Sequence, residues 1–170
     1  MNPDWFGDSY DIVKRFFVAL LKREGFSVFV DPMFTGDWKD LENSFYGFIG
    51  AFPYPTGEIP RPSAVLLDPD TGIGRTKTQG HITVKDIGEE ATRFDIVFCF
   101  DQSFSRGERA QEQMKYKLRQ LRTENVHCFY YDSHARFLFA GRDGKIVTQV
   151  ESALAASGLQ KNRLFHDKST

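Results

Sequence analysis

Four short apolar runs, each followed at once by an aspartate, constrain the fold of this chain more than any other feature. The runs cover residues 27–30, 64–67, 96–100 and 126–131, and they lead into Asp31, Asp68, Asp101 and Asp132. Continuous apolar runs of this length, bounded by polar and turn residues, are typical of strands buried on both faces of a parallel sheet. Open α/β sheets bind ligands at the edge where their parallel strands end. We therefore expect the four aspartates to line a ligand-binding edge.

The composition is typical of one globular domain. The chain has 170 residues, of which 41% are hydrophobic and 26% are charged, which is enough to bury a core without disulfides. We expect a single domain over residues 1–165 and a frayed tail over residues 166–170. Cys99 and Cys128 lie within predicted strands, so we expect buried free thiols and a cytoplasmic location. No apolar stretch reaches membrane-spanning length, so we expect no membrane partner.

Helical patterns separate the predicted strands. The first predicted helix begins after Asp8 and ends before Gly25, and the others cover residues 38–49, 84–92, 106–123 and 146–156. Asp8 is expected to cap the first, and Ser105 with Glu108 form a capping box before the fourth. The inward face predicted for the first helix consists of Ile12, Val13, Phe16, Phe17, Leu20 and Leu21. Residues 135–140 follow Asp132 so closely that they should pair antiparallel with the preceding strand.

The order of these elements predicts the architecture. It indicates a three-layer α/β fold, Rossmann-like, with a mostly parallel sheet and an antiparallel C-terminal strand pair.

The strongest local pattern for chemistry is Asp68-Pro69-Asp70 after the second run. Two carboxylates this close can share a divalent metal, or one can act as a general base. The alternative is a plain turn, because Asp, Pro, Thr and Gly all favour turns. His134, in the predicted hairpin turn, is a further candidate base or metal ligand. Asp31 and Asp101 are expected to support the site.

A basic, glycine-containing loop follows at residues 71–80. Arg75 and Lys77 in this loop are candidate contacts for a phosphate group. A solvated loop without a ligand is the alternative interpretation. The helix at 106–123 carries further cations, among them Lys115 and Lys117. We expect them to form a solvated face, with a nucleic-acid patch as the minor alternative.

Asp8, Asp11 and Lys14 lie near one face of the first helix. We expect Asp8 and Asp11 to serve as capping residues and Lys14 to be solvated, with a functional role for the three as the alternative.

Two stretches resemble the class I methyltransferases. Leu67-Asp68-Pro69-Asp70 is similar to the Asp-Pro-Pro-Tyr-type motif of that family, and the segment from Val30 to Gly36 is similar to its cofactor loop. The resemblance implies a Rossmann-like fold ending in an antiparallel strand pair. It also implies that Asp31 and Gly36 contact S-adenosylmethionine. Asp37 stands where the family has a second glycine, and a carboxylate there opposes the close approach of this cofactor.

A narrower resemblance covers more of the chain. Its motifs are Gly7-Asp8-x-x-Asp11-Ile12-x-Lys14, Leu67-Asp68-Pro69-Asp70-Thr71-Gly72, Phe100-Asp101-Gln102 and His134-Ala135-Arg136-Phe137. They are similar to a group of uncharacterised bacterial and phage-associated proteins with a Leu/Phe-Asp-Pro-Asp-Asn/Thr-Gly signature. This resemblance implies a shared fold and no particular activity.

These patterns lead to three functional hypotheses. The first is an enzyme acting on a phosphate-containing substrate, a small molecule or a nucleic acid, with a divalent metal at Asp68 and Asp70. In it, Arg75 and Lys77 contact phosphate. The second is an S-adenosylmethionine-dependent methyltransferase with a degenerate cofactor loop. The third is a non-catalytic binding module on the same scaffold.

Overall fold

A computed structural model describes residues 1–78, 80–104, 107 and 109–167. The helices are α1 (Ser9–Arg23), α2 (Glu42–Ile49), α3 (Val84–Glu90), α4 (Ala110–Thr123) and α5 (Gly144–Ala156). The strands are β1 (Ser27–Asp31), β2 (Phe52–Pro53), β3 (Ser63–Leu67), β4 (Gly72–Ile73), β5 (His81–Ile82), β6 (Ile96–Phe100), β7 (His127–Tyr131), β8 (Phe137–Gly141) and β9 (Leu164–Phe165). None of the described helices is long and apolar enough to cross a membrane.

Seven of the strands form one mixed sheet in the order β2-β1-β3-β6-β8-β7-β9. The neighbours from β2 to β6 pair in parallel. β8 lies antiparallel between β6 and β7, so that β7 runs in the same direction as β6. β9 adds an antiparallel edge, and β4 and β5 form a separate parallel pair. The prediction of an α/β fold with a mostly parallel sheet is confirmed, and the arrangement is compatible with a Rossmann-like fold.

The two faces of the sheet are covered by different helices. Val28 and Val30 of β1 belong to a core with α1, α2 and α5, whereas Phe29 between them belongs to a core with α3 and α4. This alternation is the two-residue period of a strand. The chain therefore buries its strands between two helical layers.

Aromatic packing is concentrated on the face covered by α1. The ring of Phe17 meets those of Phe137 and Phe139 edge to face, at centroid distances of 4.9 and 5.3 Å. Phe139 in turn stacks between Phe98 and Phe129, at 5.7 and 5.1 Å. Both arrangements are favourable for aromatic quadrupoles. Phe17 thus joins α1 to a row of stacked rings that crosses β6, β8 and β7.

The inward face of α1 differs from the prediction. Asp8 caps the helix as expected, and its side chain accepts from the backbone N–H groups of Tyr10 and Asp11. However, Ile12 and Phe16 are 58% and 40% exposed. The buried stripe instead includes Asp11 and Lys14, so the expectation that Lys14 is solvated was wrong. The inward face of α1 is therefore rotated relative to the predicted face, because its buried Lys14 pairs with Asp68 at the end of β3.

Other elements differ in smaller ways. The two-residue strands β2 and β9 were not predicted, and α2 begins at residue 42 rather than 38. The predicted capping box, Ser105 and Glu108, lies outside the described residues. Of the tail expected to fray, Asp167 is buried and pairs with Arg119 at 2.7 Å, whereas residues 168–170 lie outside the described part.

Candidate functional site

The four strand-ending aspartates lie at one edge of the sheet, but they do not form one cluster. Leu67 and Cys99 are register partners in β3 and β6, and both face α3 and α4. Asp68 follows Leu67, so its side chain points toward α1. Asp101 comes one residue later in register, after Phe100 on the α1 side, so it points toward α4. Strand alternation thus divides the carboxylates between two faces.

On the α1 face, Asp68 belongs to a buried ionic triad. The ammonium of Lys14 lies 2.8 Å from both carboxylate oxygens of Asp68 and 2.8 Å from Oδ1 of Asp11. The other oxygen of Asp11 accepts from the backbone N–H of Gly7 at 2.8 Å. All three of these ionic residues are at least 97% buried. The contacts connect the first helix to the end of β3.

The triad contains two carboxylates and one ammonium. Burial raises the pKa of Asp68 above its ordinary value, although Lys14 opposes the rise. Burial also acts to lower the pKa of Lys14, but the carboxylates of Asp68 and Asp11 outweigh it and leave that pKa raised. Lys14 therefore stays charged, and it supplies the positive charge that opposes the cost of burying the Asp68 carboxylate.

A cavity of about 360 Å³ opens next to the triad. Its walls combine the triad with the aromatic rings of Trp5, Tyr10 and Phe100 and with Asp70. The carboxylate of Asp70 is engaged by the Met1 amine at 2.6 Å and by the Thr35 hydroxyl at 2.7 Å.

The predicted metal ligands thus already have partners. Among the described residues, no group of three or more His, Cys, Asp and Glu side chains could hold a metal ion. A metal shared by Asp68 and Asp70 stays a prediction, and it would have to displace Lys14 from Asp68.

The loop after β1 is covered by the first residues of the chain. The carbonyl of Met1 accepts from Thr35 N at 2.8 Å and from Trp38 Nε1 at 2.9 Å. Gly36 has a φ of +78°, and a Cβ there would lie 3.2 Å from Pro3 Cδ. These contacts occupy the space that the glycines of the class I methyltransferase loop leave for the cofactor. The residues at this loop therefore do not fit S-adenosylmethionine.

On the α4 face, Asp101 organises a second buried network. Its Oδ2 accepts from Lys117 Nζ and from the hydroxyl of Tyr130, both at 2.7 Å. Its Oδ1 accepts from Ile73 N at 3.0 Å and from the Ser103 hydroxyl at 2.7 Å. One carboxylate thereby connects β4, β6, β7 and α4. The expectation that Lys117 lies on a solvated face was wrong, because 92% of this residue is buried.

A larger cleft, with a volume of about 910 Å³, lies beside this network. Its lining comes from the segment after β4, the start of α3 and one stripe of α4. The lining residues that can interact with a ligand through charge, hydroxyl, amide or ring are Arg75, Thr76, Lys77, Thr83, Lys85, Ser103, Glu112, Gln113, Tyr116, Lys117 and Gln120. We call this the basic cleft, since four of these side chains are cations and one is an acid. The volume is near the upper end of the range for small-molecule sites.

The remaining predicted site residues are dispersed. His134 is exposed, stacks on Tyr10 and lies 2.9 Å from its hydroxyl. Asp31 accepts from the backbone of Met33, and Asp132 pairs with Arg136 at 2.9 Å. Arg75 and Lys77 line the basic cleft, whereas Asp68 and Asp70 line the smaller cavity. The structure thus separates the predicted phosphate contacts from the predicted carboxylate pair.

Four participants, three of them buried and Ser103 partly buried, were not among the predicted site residues. Asp11 and Lys14 complete the triad, and Ser103 and Lys117 lie beside Asp101. A signal for the first two was present, because Asp11, Lys14 and Val18 share one helical stripe. No spacing in the sequence connects Lys117 to Asp101, since that contact depends on how α4 packs.

Comparisons of the chain with protein-family models, with curated proteins and with solved structures found no match.

Proposed function

We propose that this protein acts on a phosphate-containing substrate bound in the basic cleft. The observation that carries the proposal is the charge of the lining. Four cations from the loop after β4, from α3 and from α4 line the cleft, together with one acid, Glu112. Because the whole chain has a net charge of −1, this concentration is a local feature. Clefts lined by one sign of charge attract ligands of the opposite sign.

The cations differ in how readily they can bind a phosphate. Arg75 is exposed, and within the described part of the chain no carboxylate pairs with it. Lys77 and Lys85 pair with Asp86 and Glu89 through exposed ammonium groups. Such surface pairs contribute little stability and can exchange for a phosphate. The planar guanidinium of Arg75 can also bind two phosphate oxygens at once.

Two further groups at the inner end of the cleft support a catalytic role. The Ser103 hydroxyl accepts from Lys117 Nζ at 3.0 Å, and both residues line the cleft. The ammonium of Lys117 is fixed by Asp101 and largely removed from water. A charge held in this way interacts more strongly with developing negative charge on a substrate than an exposed one does.

Isothermal titration calorimetry with inorganic pyrophosphate and with ATP tests the proposal. Wild-type protein is expected to bind at least one of them. Arg75→Gln is expected to weaken binding by about tenfold, the loss typical of a charge-assisted hydrogen bond. Arg23→Gln removes an exposed arginine of α1 that does not line the cleft, and it should bind as the wild type does. Equal binding by the two variants, or no binding by the wild type, would overturn the proposal.

A divalent metal remains part of the hypothesis for the smaller cavity. Calorimetric titration with Mn²⁺ should give a signal that Asp70→Asn removes if the metal binds there. A wild type that binds no Mn²⁺ rules out the Asp68–Asp70 metal site and leaves the basic cleft unaffected.

A second candidate is a binding module on a methyltransferase-like scaffold. The ending of the sheet supports it, since antiparallel β8 lies between β6 and β7. The covered loop after β1 argues against S-adenosylmethionine as its ligand. Thermal unfolding with saturating S-adenosylmethionine is expected to show no rise in melting temperature. A clear rise would instead favour a methyltransferase.

A further inference from the structure

One wall of the basic cleft is a continuous stripe of α4. Gln113, Tyr116, Lys117 and Gln120 all line the cleft. Their spacing of three, one and three residues places them on one side of a helix. The stripe therefore presents a ring, an ammonium and amide groups to the same space.

The ring of Tyr116 is available to a ligand. Tyr116 is 54% exposed, although it lines a cleft. Its hydroxyl accepts from Gln120 Nε2 at 3.0 Å, which restrains the side chain. A restrained and exposed aromatic ring in a polar cleft is a stacking surface for another flat ring.

The other lining cations come from outside α4. Arg75 and Lys77 come from the segment between β4 and β5, and Lys85 comes from the first turn of α3. A cleft that combines cations with a stacking ring can bind phosphates and a planar base together. Every nucleotide of a single-stranded nucleic acid offers both a phosphate and a planar base.

We propose that the substrate of the basic cleft is single-stranded nucleic acid, with a base stacked on Tyr116 and adjacent phosphates on Arg75, Lys77 and Lys85. This inference rests on the proposed function and specifies its substrate class. The bases of a duplex are stacked on one another, so they cannot reach Tyr116 without unpairing. The site therefore favours single strands over duplexes of the same length.

Fluorescence anisotropy with a labelled thymidine oligonucleotide of about 12 nucleotides provides the test. Wild-type protein is expected to bind the single strand more tightly than the matching duplex. Affinity should fall when salt is raised from about 50 mM to about 200 mM, because phosphate binding releases counterions.

Tyr116 variants separate stacking from other roles of this residue. Tyr116→Leu is expected to weaken single-strand binding by about tenfold, within the range for loss of one stacked base. Tyr116→Phe keeps the ring and should bind within about twofold of wild type. Phe52→Leu removes another exposed ring, on the distant edge strand β2, and should have no effect.

The outcomes distinguish this inference from the function on which it rests. If pyrophosphate or ATP binds through Arg75 but the oligonucleotide binds no tighter than ATP, the inference is wrong and the proposed function stands. The same holds if Tyr116→Leu binds the single strand as the wild type does. If no phosphate-containing ligand depends on Arg75, both fail. Preference for the duplex would also overturn the inference.

Discussion

At the scale of single residues, Lys14 is the most consequential side chain of the candidate site. It is buried between two carboxylates, and it supplies the one cation of the triad. Removing a partner from a buried ionic group leaves an uncompensated charge, which costs more than the intact contact contributes. Losing Lys14 and losing Asp68 have unequal effects in this respect. Without Lys14 two carboxylates remain unpaired, whereas without Asp68 one lysine and one aspartate still form a pair.

Replacing Lys14 should therefore destabilise the fold far more than replacing Asp68. Lys14→Met is expected to lower the free energy of unfolding by about 3–5 kcal/mol at neutral pH. Asp68→Asn should cost roughly half of that or less, since the pair with Asp11 persists. Urea denaturation measures both, and Lys39→Met, at an exposed position, is the control. A smaller loss for Lys14→Met than for Asp68→Asn would contradict the assignment of charges in the triad.

Residue-level prediction from the sequence succeeded where a side chain acts through its own neighbours. Asp8 was correctly predicted as a helix cap, because capping depends on the next three residues. Lys14 was wrongly predicted to be solvated, because its partner Asp68 is 54 positions away. Lysine side chains are normally exposed. Only the packing of α1 on the sheet edge shows that Lys14 is buried.

At the scale of elements, α3 combines the start of a helix with one wall of the basic cleft. Thr83 and Asp86 form a capping box, and Asp86 also accepts from Lys77 at 2.6 Å. Burial acts to raise the pKa of Asp86, but the hydrogen bonds from Lys77 and Thr83 outweigh it and leave the pKa below its ordinary value of 3.8. The charged carboxylate thus stabilises both the helix start and the cleft wall.

This cap makes part of the stability dependent on acid. An acid with a lowered pKa in the fold contributes stability above its unfolded pKa of 3.8, and it loses that contribution as the pH falls through the lowered value. Asp86→Asn is expected to cost about 1 kcal/mol at neutral pH, and its deficit should shrink progressively below pH 3.8. Melting temperatures across this pH range measure the effect, with the exposed Glu58→Gln as control. A deficit that stays constant in acid would contradict the role of the charge.

The short strand β4 depends on a glycine for its approach to β6. Gly72 has a φ of +106°, and a Cβ there would lie 2.5 Å from Asp101 Oδ1 and 2.7 Å from Asp101 Cα. Both the backbone conformation and the contact exclude a larger residue. This approach lets the Ile73 N–H reach the Asp101 carboxylate.

Gly72→Ala is expected to destabilise the protein by roughly 2 kcal/mol or more, because strain at positive φ adds to a clash with backbone. Gly57→Ala is the matched control, since a Cβ at Gly57 would have no atom within 4 Å. Its free energy of unfolding should change by less than about 0.5 kcal/mol. Denaturant titration compares the two variants. Equal stability would show that β4 can move away from Asp101.

The sequence predicted the long elements and missed the short ones for a physical reason. Apolar runs of four to six residues and helices of several turns carry a repeated signal, and they appear close to their predicted positions. Strands β2 and β9 have two residues each, which is too short for any period to show. They are specified by their pairing with β1 and β7, so tertiary context creates them.

At the scale of the whole molecule, the sheet both collects and separates the site residues. Common strand direction brings the aspartates to one edge, and this could be predicted from four similar runs. Their division between two faces follows from the register of β3 against β6, in which Leu66 pairs with Phe98. Register is fixed by packing across the sheet and not by either strand alone. The single predicted carboxylate cluster is therefore two separate networks, one around the ammonium of Lys14 and one around the ammonium of Lys117.

The accessibility of the two thiols reports on the integrity of this layered structure. Cys99 and Cys128 are free and buried, as predicted, and both belong to the core beneath α3 and α4. Burial raises the pKa of Cys128 to about 12 and that of Cys99 well above its ordinary value. Since the thiolate is the reactive form, we expect neither thiol of the native protein to react with a thiol reagent in mildly alkaline buffer. Both should react promptly in denaturant. Thr148→Cys, at an exposed position of α5, should add one thiol that reacts at once in the native protein. Rapid native labelling at Cys128 would show that α4 separates from the sheet without global unfolding.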